Sequence, residues 1–112
     1  MNQPTLFEAK TQPIEIEKII LYALGDFQSR KKVLAERELA LDRLRGAFKR
    51  AAETFEVEEP TDELIAETLE KLGAKVVRVP SFVAKHPFRI TVQTELAERA
   101  FEFYKSELEK SI

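Results

Sequence analysis

Apolar side chains first recur at the spacing of a helix between residues 14 and 24. The intervals are three or four residues, which is the period of an amphipathic helix with one buried face. Gly25 and Asp26 follow as residues that commonly end a helix. We therefore predict a first helix over 14–24, whose buried face consists of Ile16, Ile19, Ile20, Ala23 and Leu24.

The segment before this helix is polar and contains Pro4. Short polar termini are poorly ordered in most domains unless something holds them. We expect a flexible N-terminal arm over 1–12. The rest of the chain, 13–112, is of a length that suits one domain.

Large apolar residues then recur every seven positions, at Phe27, Leu34, Leu41, Phe48 and Phe55. No proline interrupts this stretch, so the pattern predicts a long helix over 27–55. Such a helix is about 45 Å long, more than a small domain needs. It either breaks near Gly46 or projects from the domain, and a projecting apolar stripe requires a partner chain.

Two arginines fall on the same face as this apolar stripe. Burying them without a partner is costly, so this half of the helix either lies at an edge of the domain or pairs the arginines with carboxylates across an interface. This pattern favours a homodimer formed through the helix over 27–55, or a protein partner. The predicted interface residues are Phe27, Arg30, Leu34, Arg37 and Leu41.

The second half of the chain predicts a helix, a hairpin and a final helix. Thr61 is a suitable N-cap for a helix over 61–72, and Gly73 a suitable residue to end it. Residues 75–79 and 88–92 read as two strands, and a helix begins at Thr94. The fold class is therefore α+β and mainly helical, in the order helix, long helix, helix, β-hairpin, helix.

The stretch from Leu64 to Ala100 resembles the second half of a winged-helix domain, with a helix ending at Leu72-Gly73, two strands and a further helix. In that family the helix before the hairpin usually enters the DNA major groove. The resemblance thus implies a reading role for residues 61–72. Four carboxylates on that helix face a single Lys71, and phosphates would repel them, so we do not expect this mode of binding.

The net charge is only −2, but charge is distributed in blocks. Residues 51–70 contain eight acids and no base, whereas 71–94 contain five bases and no acid. Such blocks indicate the chemistry of a partner, not the fold. The residues predicted to contact nucleic acid or an acidic partner are Lys75, Arg78, Lys85, His86 and Arg89 in the hairpin, and Lys32, Arg43 and Arg50 in the long helix.

Familiar catalytic patterns are missing from the sequence. It contains no cysteine and one histidine, which excludes thiolate and multi-histidine metal sites. Its three glycines are far apart and form no phosphate-binding loop. We expect no catalytic residue, no metal, no cofactor and no small-molecule substrate. No apolar run is long enough for a bilayer and no secretory signal is visible, so we expect a cytoplasmic protein that does not enter membranes.

Two functional hypotheses follow. In the first, the chain is a non-enzymatic protein-interaction or adaptor module. In the second, it binds nucleic acid through the basic hairpin 75–92 and the basic helix face. A sequence pI near 5.6 favours the first, since nucleic-acid-binding domains usually have a basic balance.

Overall fold

The computed structural model describes residues 3–79 and 88–110, with side chains from residue 16 onward. Within these residues the chain forms four α-helices and three strands, which confirms the small α+β class. One turn of 3-10 helix over Leu41–Leu44 separates β1 from α2. The elements are α1 (Gln3–Ser29), β1 (Glu38–Ala40), α2 (Arg45–Phe55), α3 (Asp62–Lys71), β2 (Lys75–Arg78), β3 (Phe88–Thr91) and α4 (Thr94–Lys110).

The three strands form one antiparallel sheet in the order β1–β3–β2. Ile90 lies at its centre, opposite Leu39 of β1 and Val76 of β2. Leu39 and Ile90 are buried, whereas their sequence neighbours are more exposed, so one face of the sheet covers the core. The predicted two-stranded hairpin is present, and β1 adds a third strand that sequence analysis placed inside a helix.

The predicted long helix over 27–55 is wrong, both as a continuous helix and as one that breaks near Gly46. The chain leaves α1 after Ser29 and forms β1 before it turns helical again. Lys31 and Glu36 both have a positive φ, of 65° and 60°, which a helix does not allow. The break lies well before Gly46. The break in the helix is stabilised by the pairing of β1 with β3. Neither segment indicates this pairing when its sequence is considered alone.

The seven-residue repeat has a different origin from the one inferred. Its members come from α1, the loop before β1, the 3-10 turn and α2, and they all pack into one core. Phe27, Leu34, Leu41 and Phe48 are buried there, and Phe55 packs against the same cluster. Because the core of one chain contains them, this stripe is not an exposed seam for a second copy.

α1 and α4 lie antiparallel and in close contact. The side-chain amide of Gln28 donates to the carbonyl of Ala97 at 2.8 Å, and Gly25 lies against Ala100 and Tyr104. A Cβ on Gly25 would lie 2.3 Å from that of Tyr104, so only glycine permits this approach. The helix therefore passes through Gly25 and Asp26, which had been expected to end it.

α1 extends from Gln3 to Ser29 and is longer at both ends than the predicted 14–24. The flexibility of the arm over 1–12 and the domain boundary at residue 13 stay predictions. Two other expectations are confirmed. The Thr61 hydroxyl accepts from the backbone of Leu64 at 3.2 Å as the N-cap of α3, and Gly73 follows α3 with φ of +104°.

A long-range contact fixes the start of α4. The carboxylate of Glu36 accepts from the backbone nitrogen of Thr94 at 2.7 Å and from its hydroxyl at 3.1 Å. A negative charge is favourable at a helix N-terminus, because the first backbone N–H groups have no partner within the helix. The loop before β1 and the last helix are thereby joined.

Candidate functional site: an arginine pocket between three helices

Two of the five cations predicted for the hairpin, Arg78 and Arg89, lie beside acids. Arg78 donates to both carboxylate oxygens of Glu63, at 2.9 and 3.2 Å, and its guanidinium lies over the ring of Phe88. Arg89 lies 3.9 Å from the carboxylate of Glu38. Lys75 is exposed and has no ion pair among residues 16–79 and 88–110. The described strands of the hairpin, residues 75–78 and 88–91, therefore present less free positive charge than their sequence predicts.

Two of the predicted contact residues, Lys85 and His86, lie outside the described residues. The other three, Lys32, Arg43 and Arg50, were expected to share one helix face. Instead Lys32 belongs to the loop before β1 and Arg43 to the 3-10 turn, so no single helix carries them. Only Arg50 lies on α2.

The predicted interface residues separate into two groups. Phe27, Leu34 and Leu41 are buried in the core. Arg30 and Arg37 lie at the surface, as expected of charges that the core excludes. Among the predicted interface residues, Arg30 alone forms a polar cluster with Arg50, which was predicted to contact nucleic acid or an acidic partner.

That cluster is centred on Asp26, which is only 4 % exposed. Arg30 Nε lies 3.2 Å from Asp26 Oδ1, and Arg50 Nε lies 2.6 Å from Asp26 Oδ2. One carboxylate thus holds two arginines that are twenty positions apart in the sequence. A buried carboxylate is normally paired and hydrogen-bonded in this way, because an unpaired one is costly to desolvate.

These residues line a cavity of about 370 Å³ that opens to solvent. We call it the arginine pocket. Three helices or their ends contribute to it, and its lining consists of Tyr22, Asp26, Arg30, Arg50, Glu53, Thr54 and Tyr104.

The spacing along α1 and α2 explains why these side chains meet. Tyr22, Asp26 and Arg30 are four residues apart, which places them on one side of α1 and its following turn. Arg50 and Thr54 have the same spacing on α2. Tyr104 enters from α4, where its ring lies 4.9 Å from that of Tyr22 in an edge-on arrangement.

Each guanidinium uses only its Nε on Asp26. The terminal Nη groups of Arg30 and Arg50 make no hydrogen bond to the residues that the structure describes, and the two side chains are 52 % and 39 % exposed. A guanidinium presents five N–H donors in a planar fork that matches the geometry of oxyanions. The two guanidinium groups of the pocket therefore retain donors that no described residue uses.

The guanidinium of Arg45 differs from those of Arg30 and Arg50, because its terminal nitrogens also have acidic partners. Arg45 contacts Asp62, Glu59 and Asp42. Partial burial acts to lower the pKa of Arg45, but the charges and hydrogen bonds of Asp62 and Glu59 outweigh it and raise that pKa above its ordinary value. This arginine joins the start of α2 to Glu59 and to the start of α3.

Two other features, a metal-ligand cluster and a membrane-spanning helix, are absent from the described part of the chain. No group of three or more His, Cys, Asp or Glu side chains in residues 16–79 and 88–110 is placed to hold a metal ion. Among the described helices, none has both the length and the apolar character needed to cross a bilayer. Comparisons with protein-family models, with curated proteins and with solved structures gave no match.

Arg30 and Arg50 were predicted from the sequence as contact residues, whereas Tyr22, Asp26 and Tyr104 of the pocket were not. On the predicted long helix the two arginines lie on different faces, and they were therefore assigned to different surfaces. One signal was available: Asp26 precedes Arg30 by four residues, a spacing that favours an ion pair on a helix. Reading Asp26 as a helix terminator hid this signal.

Proposed function

We propose that the chain is a non-enzymatic protein-interaction module whose partner presents acidic groups, and that it acts in the cytoplasm. The observation that carries the proposal is the arginine pocket. Arg30 and Arg50 converge there on one buried carboxylate, and their terminal nitrogens remain open to solvent. Fixed donors at a concave surface are typical of sites that recognise a specific anionic group.

The charge arrangement favours a protein over nucleic acid as the partner. Arg78 and Arg89 each lie beside a carboxylate. α3 carries Glu67 and Glu70, which are exposed and have no basic partner among the described residues. A phosphate backbone needs several free cations on one surface, and these elements do not provide them. The likeness of residues 64–100 to a winged-helix domain stays part of the proposal at the level of shape only.

A homodimer also stays a prediction. It is not formed through a helix over 27–55, since that helix does not exist. Light scattering on the whole chain gives the mass in solution and decides this point separately from the partner's identity.

The test of the module itself is a comparison of proteins retained from a cell extract by the immobilised chain and by two variants. Arg30→Gln removes a donor of the arginine pocket, whereas Arg43→Gln removes an exposed cation elsewhere. We expect at least one protein that is retained by the wild type and by the Arg43 variant but not by the Arg30 variant. Reconstitution with that purified protein then has to reproduce the difference.

A gel-shift series at low and physiological salt examines the other hypothesis. We expect no stable shift of a short DNA duplex or a single-stranded RNA. A salt-sensitive shift that is lost in a Lys75→Glu variant, together with no protein dependent on Arg30, would replace this proposal with nucleic-acid binding.

A further inference from the structure

We propose that the arginine pocket is a carboxylate-binding site for a polypeptide with a run of acidic residues. This inference rests on the proposed function and specifies the chemical group that the partner inserts. The carboxylate comes from an Asp or Glu side chain or from a free C-terminus, and both sources have the same chemistry.

The first argument is the orientation of the donors. Because Asp26 accepts from the Nε of both arginines, the planes of the two guanidinium groups are anchored before any ligand arrives. Their Nη groups have no hydrogen-bond partner among the residues that the structure describes, and both side chains are more than one third exposed. Arg50 Nη1 lies near Gly46 of α2, 3.4 Å from the position of a Cβ on that glycine. A ligand that meets pre-oriented donors loses less conformational entropy than one that must order two long side chains.

The second argument is charge. Arg30 and Arg50 together carry two positive charges, and Asp26 cancels one of them. Glu53 is exposed and lines the same cavity, so a ligand group that places a second negative charge inside the pocket meets repulsion from its carboxylate. A carboxylate carries a single charge, whereas a phosphate monoester carries about −1.5 to −2 near neutral pH. The balance therefore favours a carboxylate over a phosphate.

The third argument is the shape and polarity of the walls. The volume of about 370 Å³ is near the lower end for ligand sites and suits one side chain. The rings of Tyr22 and Tyr104 form apolar walls that contact the methylene groups of an acidic residue. The Thr54 hydroxyl already donates to the carbonyl of Arg50 at 3.0 Å, so the donors that remain on the lining residues are the two guanidinium groups and the two tyrosine hydroxyls.

The fourth argument concerns the surface beside the pocket. Lys31 and Lys32 follow Arg30 directly, and both are exposed with no ion pair in the described part of the chain. A polypeptide with one carboxylate in the pocket meets these cations with its neighbouring residues. Consecutive acidic residues are thus favoured over an isolated one, and the association is expected to weaken as salt is raised.

The tyrosines provide a direct measurement. The chain contains two tyrosines and no tryptophan, and both tyrosines line the pocket. Intrinsic tyrosine fluorescence of the whole chain therefore reports on this site. The probes are acetylated and amidated hexaglutamate, hexaglutamine with a free C-terminal carboxylate, and fully capped hexaglutamine as the uncharged control.

We expect a saturable change in tyrosine emission with hexaglutamate or with uncapped hexaglutamine, and none with the capped control. The more tightly bound of the two carboxylate probes identifies the source of the group. Arg30→Gln is expected to weaken binding about tenfold, as for the loss of one hydrogen bond to a charged group. Arg43→Gln is expected to leave it unchanged. Arg30→Lys keeps the charge without the fork, and an intermediate affinity is expected.

Three results would overturn the inference. The first is the absence of a saturable signal with either carboxylate probe. The second is equal weakening by the Arg30 and Arg43 variants, which indicates diffuse charge attraction. The third is tighter binding of inorganic phosphate than of both carboxylate probes. If a protein partner still depends on Arg30 in any of these cases, the interaction module stands and only the assignment of its ligand fails.

Discussion

Gly25 of α1 lies directly beneath Tyr104 of α4, so close that a Cβ on the glycine would be 2.3 Å from the tyrosine Cβ and 2.7 Å from the carbonyl of Ala100. Neither obstacle is the flexible end of a side chain. Gly25→Ala must therefore move the two helices apart, and we expect a loss of about 1–3 kcal/mol in the free energy of unfolding, measured by urea denaturation.

The control for that prediction is Gly46→Ala. A Cβ on Gly46 would lie 3.4 Å from Arg50 Nη1, the end of a flexible side chain. Alanine also favours the helix by about 0.5–1 kcal/mol over glycine. We expect this variant to be neutral or slightly more stable. Equal losses for the two alanine variants would contradict the close approach at Gly25.

Removing the charge of Asp26 tests the centre of the arginine pocket. In Asp26→Asn, two guanidinium groups share a neutral amide in place of a carboxylate. Because Arg30 and Arg50 are 52 % and 39 % exposed, solvent reduces the penalty. We expect a loss of about 1–2 kcal/mol by chemical denaturation. Glu53→Gln, at an exposed residue of the same pocket, should change stability by less than about 0.5 kcal/mol.

Two adjacent residues separate the core interpretation of the seven-residue repeat from the interface interpretation. Leu34 is 2 % exposed, and Val33 is 60 % exposed. We expect Leu34→Ala to cost about 2–5 kcal/mol, since it creates a cavity. Val33→Ala should cost less than about 0.5 kcal/mol. If the Leu34 variant keeps its stability but has a lower mass than the wild type in light scattering, the interface interpretation is supported instead.

Glu36 should contribute to stability through α4. Its carboxylate accepts from the nitrogen and the hydroxyl of Thr94, so Glu36→Ala leaves the start of the helix without a cap. The expected cost is about 1 kcal/mol, with earlier hydrogen exchange at the first amides of α4. Glu95→Ala removes a nearby exposed acid and serves as the control. If its effect on exchange matches that of Glu36→Ala, Glu36 is not the cap.

Local patterns predicted most of the elements correctly. Thr61 and Gly73 bounded α3 because caps and left-handed glycines are properties of a few neighbouring residues. β2 and β3 were found because their β-branched residues alternate or cluster within five positions. The third strand was missed for the opposite reason. Glu38–Ala40 is a strand only because β3, fifty residues away, pairs with it.

The seven-residue repeat misled for a comparable reason. Residues such as Leu34 and Leu41 occupy one core from different elements, and their even spacing does not come from a single helix. Positive φ angles at Lys31 and Glu36 end the helical pattern there. Lysine and glutamate do not favour a positive φ, so these two residues did not indicate from the sequence that the helix ends there.

The pocket was predictable only in its components. The pairing of Asp26 with Arg30 is a local property of α1, but the contact with Arg50 depends on how α1 and α2 pack. Tyr104 reaches the pocket because Gly25 allows α4 to come close. These distances depend on how the helices pack against one another, so they could not be predicted from the sequence alone.

The contact of α1 with α4 joins segments from opposite ends of the sequence. As the ribosome makes the chain, α1 emerges before α4, and the residues of α4 that cover it emerge about seventy positions later. β1 waits in the same way for β3. The part of α1 that α4 covers is thus exposed until α4 has been made, and during that interval chaperones or neighbouring nascent chains have access to it.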